Sequence, residues 1–211
     1  MNNIVQDMKE YFTQTFEQYG PNVQGVDWGG PNDEPKLRMR YDKMLSVIQN
    51  CYNKPEKITL LDVGCGYGGL YEYAKSKGIE FDYTGIDICE NMIFYAKENN
   101  PDAVFICDDF LKHQFDEKYS FVICNGILTA KLSASILDMD KYARTIIDKM
   151  YSLCECGVAF NIMTSQVDFI NNVLYYKSPL EILAYCMTLT EKFVLDSSYP
   201  LYEYTTMLYK K

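Results

Sequence analysis

One histidine and one tryptophan in 211 residues leave little room for two common kinds of chemistry. Zinc sites and Ser-His-Asp triads both depend on imidazole. The single imidazole, His113, sits in the polar stretch Lys112-His113-Gln114-Phe115-Asp116-Glu117 and is read as a solvated surface side chain, so no metal site is expected. Basic charge is scarce as well: 20 Lys and Arg stand against 29 Asp and Glu, a net charge of −9. Phosphate backbones are held by Lys and Arg that displace counterions, and the densest basic cluster (Lys36, Arg38, Arg40, Lys43) is modest, so nucleic acid is not the expected partner. No apolar run reaches the roughly 18 residues of a membrane span. Residues Met1 to Asp7 lack the basic and apolar regions of a secretion signal, which points to the cytoplasm. No repeat or low-complexity segment stands out.

Cysteine is not scarce: there are eight. Their positions argue against disulfides. Cys65 lies in a glycine-rich loop, Cys89 opens a helix-like stretch, and Cys107 and Cys124 close what read as buried strands, where a free thiol acts as a small hydrophobe. Cys154-Glu155-Cys156 is the only close pair, a weak metal signal without a second pair.

Residues 59–70 carry the most information: Thr-Leu-Leu-Asp-Val-Gly-Cys-Gly-Tyr-Gly-Gly-Leu. An apolar strand breaks into Gly64, Gly66, Gly68 and Gly69, and a helix-like stretch follows. Glycines at such a turn adopt backbone angles that other residues avoid and let a ligand approach the main chain. Free N–H groups at the start of the next helix then face that ligand. A nucleotide-like cofactor is the expected occupant.

Gly64, Gly66 and Gly69 satisfy G-x-G-x-x-G, and Asp87 follows at the spacing of a ribose-binding acid, so a nicotinamide-dependent oxidoreductase is one reading. Three details favour another. Asp62 lies inside the first strand, where a dinucleotide-binding strand is usually apolar. Asp87 leads directly into Ile88-Cys89-Glu90-Asn91-Met92. A third strand ends in Asp108-Asp109-Phe110.

Leu61-Asp62-Val63-Gly64-Cys65-Gly66, Gly85-Ile86-Asp87-Ile88, Asp108-Asp109-Phe110 and Tyr119 to Gly126 form an ordered set. This set resembles the class I S-adenosylmethionine-dependent methyltransferases over roughly residues 58–165. The resemblance implies an enzyme that moves a methyl group from S-adenosylmethionine to an acceptor and releases S-adenosylhomocysteine. It also implies a doubly wound, mostly parallel seven-stranded sheet with an antiparallel last strand.

The hydrophobic pattern agrees with such an α/β fold. Val5, Met8, Phe12 and Phe16 share one helix face, as do Leu37, Tyr41, Met44, Ile48 and Tyr52; residues 20–35 read as a loop. Strands are expected at 58–63, 82–87, 103–107, 119–124, 157–163, 192–196 and 202–209, and helices at 69–78, 89–98, 138–153 and 179–188. The last two strands are joined through Ser197-Ser198-Tyr199-Pro200, too short for a crossover, so they should pair antiparallel. Residues 1–55 are expected to form a helical lid on a core of residues 56–211.

Site roles follow from the resemblance. The Gly64-Cys65-Gly66 main chain should border the methionine and ribose of the cofactor. Asp87 should accept hydrogen bonds from the ribose hydroxyls, with Ile88 and Met92 on the adenine. Asp108 or Asp109 should meet the adenine amino group beside the N–H of Phe110, leaving the other solvated. Asn125 ends the fourth strand near the reacting methyl group; followed by Gly126-Ile127-Leu128, it departs from the Asn-Pro-Pro-Tyr pattern of some base and glutamine methyltransferases. Trp28 and Arg40 are placed against the cofactor, Arg40 on its carboxylate, although a solvated Arg40 is the competing reading. Tyr41, Thr164, Tyr199 and Tyr202 are candidate substrate contacts. The acceptor is expected to be a small molecule methylated on oxygen or nitrogen. A cofactor-binding sensor or subunit without catalysis has the same glycine loop, and sequence does not separate it from the enzyme. No catalytic residue and no oligomeric state is assigned.

Overall fold

The computed structural model describes residues 2–210. Two helices, α1 (Asn2–Tyr19) and α2 (Glu34–Gln49), precede a sheet whose strands alternate with helices. The elements that follow are β1 (Thr59–Val63), α3 (Gly69–Ser76), β2 (Asp82–Asp87), α4 (Glu90–Asn99), β3 (Val104–Cys107) and β4 (Tyr119–Cys124). Then come α5 (Ile136–Leu153), β5 (Cys154–Thr164), β6 (Tyr176–Lys177), α6 (Pro179–Cys186), β7 (Phe193–Asp196) and β8 (Glu203–Tyr209).

The strand order is β3-β2-β1-β4-β5-β8-β7, with β6 paired to the end of β5. β1 to β5 run parallel to one another, whereas β8 runs antiparallel to both β5 and β7. The antiparallel β7–β8 pair agrees with the short Ser197–Pro200 link. The two-residue β6 adds an eighth strand to the seven expected; a run so short leaves no periodicity to read.

Period-two alternation sends successive side chains to opposite faces. Leu61, Val122, Val158 and Phe160 pack with Met139, Ile146, Ile147 and Met150 of α5. Leu60, Phe121, Ile123 and Ala159 face Leu37, Met44 and Leu45 of α2 and Leu70, Ala74, Ile93 and Ala96 of α3 and α4. Both faces of the sheet are therefore covered, as a parallel sheet requires. α5 starts on a serine N-cap: Ser135 Oγ accepts from Asp138 N at 3.1 Å and donates to Asp138 Oδ2 at 2.6 Å. α2 opens at Glu34-Pro35, where the missing proline N–H costs nothing.

Two sequence expectations fail on packing. α2 ends at Gln49, so Tyr52 stands past the helix, almost fully exposed. Cys107 is exposed rather than buried, because β3 is the edge strand of the sheet.

The order reverses at β1, which lies between β2 and β4. Crossovers leave β1 and β4 in opposite directions, opening a crevice beyond their carboxyl ends, where open α/β sheets bind ligands. Among the described residues no helix is long and apolar enough to cross a membrane.

Candidate functional site

A cavity of about 280 Å³ occupies that crevice. Its floor is the turn after β1. Gly64 N and Cys65 N both donate to Ile86 O, at 2.8 and 3.2 Å, which pins the turn to β2. Gly66 has φ +55°, and a Cβ there would make only ordinary contacts, 3.6 Å from Val26 and 3.7 Å from Met92. The protein thus leaves room over this peptide that only glycine keeps free at such an angle.

Asp87 ties the turn to α4. One carboxylate oxygen accepts from Gly66 N and the other from Cys89 N, each at 2.9 Å. Burial pushes its carboxyl above the usual range, and these N–H donors pull it back. At the end of β3, Asp109 Oδ1 accepts from Leu111 N at 3.0 Å while its other oxygen pairs with Lys112 at 3.1 Å. Asp108 pairs with His113 Nδ1 at 2.9 Å, a contact that lowers the Asp108 pKa. The His113 ring also packs edge-on to Phe115, with centroids 4.6 Å apart. Neither aspartate is merely solvated, and the histidine is a partner rather than a free surface group.

Among the described residues, three buried polar atoms along this cavity lack any partner: Asp62 Oδ1, Arg40 Nη1 and Asn125 Oδ1. Buried polar groups are normally satisfied, so three orphans on one cavity mark a place built for a polar ligand. Asp62 is 2% exposed; its other oxygen accepts from the Tyr83 hydroxyl at 2.7 Å. Burial, with help from the Asp87 charge, raises the Asp62 pKa from 3.8 to about 7.

Arg40 is 8% exposed, which overturns the solvated reading. Its Nε donates to both oxygens of Glu203, at 3.1 and 2.9 Å, and its guanidinium lies 3.9 Å from the centroid of the Trp28 ring. Trp28 in turn closes on Gly126, where an added Cβ would come within 2.9 Å of the indole. The loop between α1 and α2 is thereby packed onto the end of β4.

Of the sequence candidates, the structure brings Gly64, Cys65, Gly66, Asp87, Ile88, Met92, Asp108, Asp109, Phe110, Asn125, Trp28, Arg40 and Tyr41 to the cavity wall. It does not bring Thr164, Tyr199 or Tyr202 there. Tyr199 is buried with its hydroxyl 2.8 Å from Thr205 Oγ1. Tyr202 is exposed and donates to Asp168 at 3.2 Å. Thr164 Oγ1 is occupied by Gln166 N at 3.2 Å. Sequence reasoning gave no site role to Asp62, Glu203 or Asn161. Asp62 and Asn161 are lone polar residues in apolar strand runs, the one signal that marks them; Glu203 opens a strand that also carries Thr205 and Thr206 and has no such signal. Val5, Met8 and Phe12 of α1 and Ile127, Ala130 and Leu174 supply the apolar wall.

A doubly wound sheet ending in an antiparallel strand, with a glycine turn, a ribose-spaced acid and a third acidic strand end on one cavity, defines a class I methyltransferase fold. The family model described as a methyltransferase domain matches residues 60–148. The chain is 29% identical over 164 residues to Rv1506c of Mycobacterium tuberculosis, which carries a methyltransferase name; the match spans 75% of this chain and 96% of that protein. It is 32% identical over 85 residues to malonyl-(acyl-carrier protein) O-methyltransferase of Bacillus anthracis, across 39% of this chain and 32% of the relative. Magnesium protoporphyrin IX methyltransferase from Synechocystis PCC 6803, solved with S-adenosylmethionine bound, superposes with a TM-score of 0.70 at 16% identity, covering 98% of this chain and 96% of that one.

The chain carries a methyltransferase domain over residues 60–148 on a class I fold, and S-adenosylmethionine is the cofactor of that domain. The nicotinamide reading is set aside.

Proposed function

We propose that the cavity holds the cofactor along the turn after β1 and presents its methyl group to an oxygen or nitrogen of a small-molecule acceptor beside Asn125. The observation that carries this is the set of orphaned atoms. An α-amino acid end carries an ammonium and a carboxylate; Asp62 Oδ1 offers an acceptor to the first and Arg40 Nη1 a donor to the second. Asp87 holds the ribose hydroxyls. Asp109, the less exposed of the two aspartates, takes the adenine amino group, and Asp108 orients the loop through His113. Ile88, Met92 and Phe110 sandwich the base.

S-adenosylmethionine supplies an activated methyl group on a cationic sulfonium. The protein's part is alignment and exclusion of water. Asn125 orients the acceptor by hydrogen bonding, while Ile127, Ala130 and Leu174 give its remaining surface an apolar seat. Oxygen is favoured as the accepting atom, in keeping with the O-methyltransferase name of one relative.

The segment before β1 acts as a lid. α1 covers the cavity with Val5, Met8 and Phe12, and its polar ties to the core include the Lys9–Glu90 pair at 2.8 Å and the Asp7–Ser133 hydrogen bond. These exposed ties contribute roughly 0–1 kcal/mol each; the helix is seated mainly by Ile4, Met8 and Phe16, which are buried against the core.

Replacing Asp87 by Ala is expected to weaken S-adenosylhomocysteine binding by about 1.5–3 kcal/mol, the worth of hydrogen bonds to a charged group. Calorimetry on the two proteins reads this directly, and equal affinities would remove Asp87 from the ribose. Incubation with S-adenosylmethionine and a panel of phenols, carboxylic acids, sugars and amines, scored by S-adenosylhomocysteine release, tests the acceptor class. Release with none of these would argue against a small-molecule acceptor.

A further inference from the structure

Glu203 and Asn161 form a buried pair that the cofactor contacts above do not use. Both lie on the same face of the sheet, because the antiparallel register sets Asn161 opposite Thr205 and Glu203 opposite Met163. Asn161 Nδ2 donates to Glu203 Oε1 at 3.2 Å, and Asn161 Oδ1 accepts from Gly126 N at 2.9 Å. Glu203 receives Arg40 Nε on both oxygens. One chain of contacts therefore runs from Arg40 in α2, through β8 and β5, to the turn after β4.

A carboxylate at 2% exposure is costly unless it is paired and hydrogen-bonded. Packing of an apolar core would be served equally well by two hydrophobic residues here. What the pair achieves instead is orientation. Glu203 occupies the Nε edge of the guanidinium and Trp28 covers its face, which leaves Nη1 without a partner in a residue that lines the cavity. The same pair fixes the main chain at Gly126, next to Asn125.

Resting on the cofactor reading above, we infer that Glu203 and Asn161 are positioning residues: they hold Arg40 in the one orientation that recognises the cofactor's carboxylate, and they lock this clamp to the acceptor-side turn at Asn125-Gly126. Arg40 touches the ligand; Glu203 and Asn161 act through it and through Gly126.

The test compares two ligands that differ only where the inference applies. S-adenosylhomocysteine carries the amino acid end; 5′-methylthioadenosine lacks it. In Glu203→Gln, binding of S-adenosylhomocysteine should weaken about tenfold while 5′-methylthioadenosine binds as it does to the unaltered protein. The KM for S-adenosylmethionine should rise with kcat at saturation kept within about twofold. Asn161→Ala, which frees Gly126 N as well, should show the same ligand selectivity and also lower kcat. Equal losses for both ligands would reduce the pair to a structural role and overturn the inference, as would no loss for either. Should the unaltered protein bind 5′-methylthioadenosine no more weakly than S-adenosylhomocysteine, the carboxylate clamp itself fails. If it binds neither, the cofactor reading beneath it fails.

Discussion

Asp62→Asn is expected to stabilise the free protein and weaken its cofactor binding at the same time. Asp62 is buried at the end of β1 with one oxygen held by Tyr83 and the other without a partner. Its pKa is raised from 3.8 to about 7. Each unit corresponds to about 1.4 kcal/mol between protonation states, so the ionised form costs the folded protein up to about 4 kcal/mol. The sign follows from the direction of the shift. Below pH 4 the carboxyl is neutral in folded and unfolded chains alike and the cost is absent; it grows as pH rises through the folded pKa and is complete above it.

Asparagine keeps a carbonyl for Tyr83 and carries no charge. A gain of about 2–4 kcal/mol is therefore expected at pH 8, a rise in Tm of roughly 4–16 °C for a chain of this size, fading toward pH 4. Affinity for S-adenosylhomocysteine should fall about tenfold or more, because the ammonium loses its charged acceptor. Thermal unfolding at pH 8 and pH 4 with parallel titrations checks both halves. A lower Tm at pH 8, or an unchanged affinity, would contradict the assignment.

Arg40→Ala should act in the opposite direction on stability. It leaves Glu203 buried beside Asn161 with no counterion. Breaking a buried pair from one side costs about 3–5 kcal/mol, whereas replacing both partners with apolar residues of similar volume is often close to neutral. The double variant Arg40→Met, Glu203→Leu should recover most of the loss. Burial already holds the Glu203 carboxyl above its ordinary range, with Arg40 opposing the shift. Without Arg40 the carboxyl takes up a proton more readily, so the deficit of Arg40→Ala should be largest at alkaline pH and shrink as pH falls. Denaturant unfolding of the two variants at pH 8 and pH 5 measures this. A single variant as stable as the starting protein would mean that the ion pair carries no net weight.

The parts of this fold that sequence reveals are those with local causes. The alternation in 119–124 and 157–163 and the glycine run after Val63 each report a strand or a turn without reference to anything distant. The ordered acids Asp87 and Asp108-Asp109 are legible for the same reason: Asp87 closes its strand and Asp108-Asp109 directly follow theirs. Glu203 and Asn161 are not, because their partnership exists only once β8 lies antiparallel to β5 and α2 delivers Arg40 against both. The tyrosines misled for a related reason. Tyr199 and Tyr202 stand near the strand ends, but Thr205 and Asp168 satisfy their hydroxyls away from the cavity. Arg40 was found by its chemistry, whereas its burial depended on Trp28 and Glu203, which are remote from it in the chain.

The most direct test is calorimetric titration of the unaltered protein with S-adenosylhomocysteine, with NAD and NADP run beside it. One site that binds S-adenosylhomocysteine is expected, with no heat from either nicotinamide nucleotide. Binding of NAD or NADP in its place would contradict this, leaving the glycine turn correctly read and the roles given to Asp62, Arg40 and Asp109 wrong.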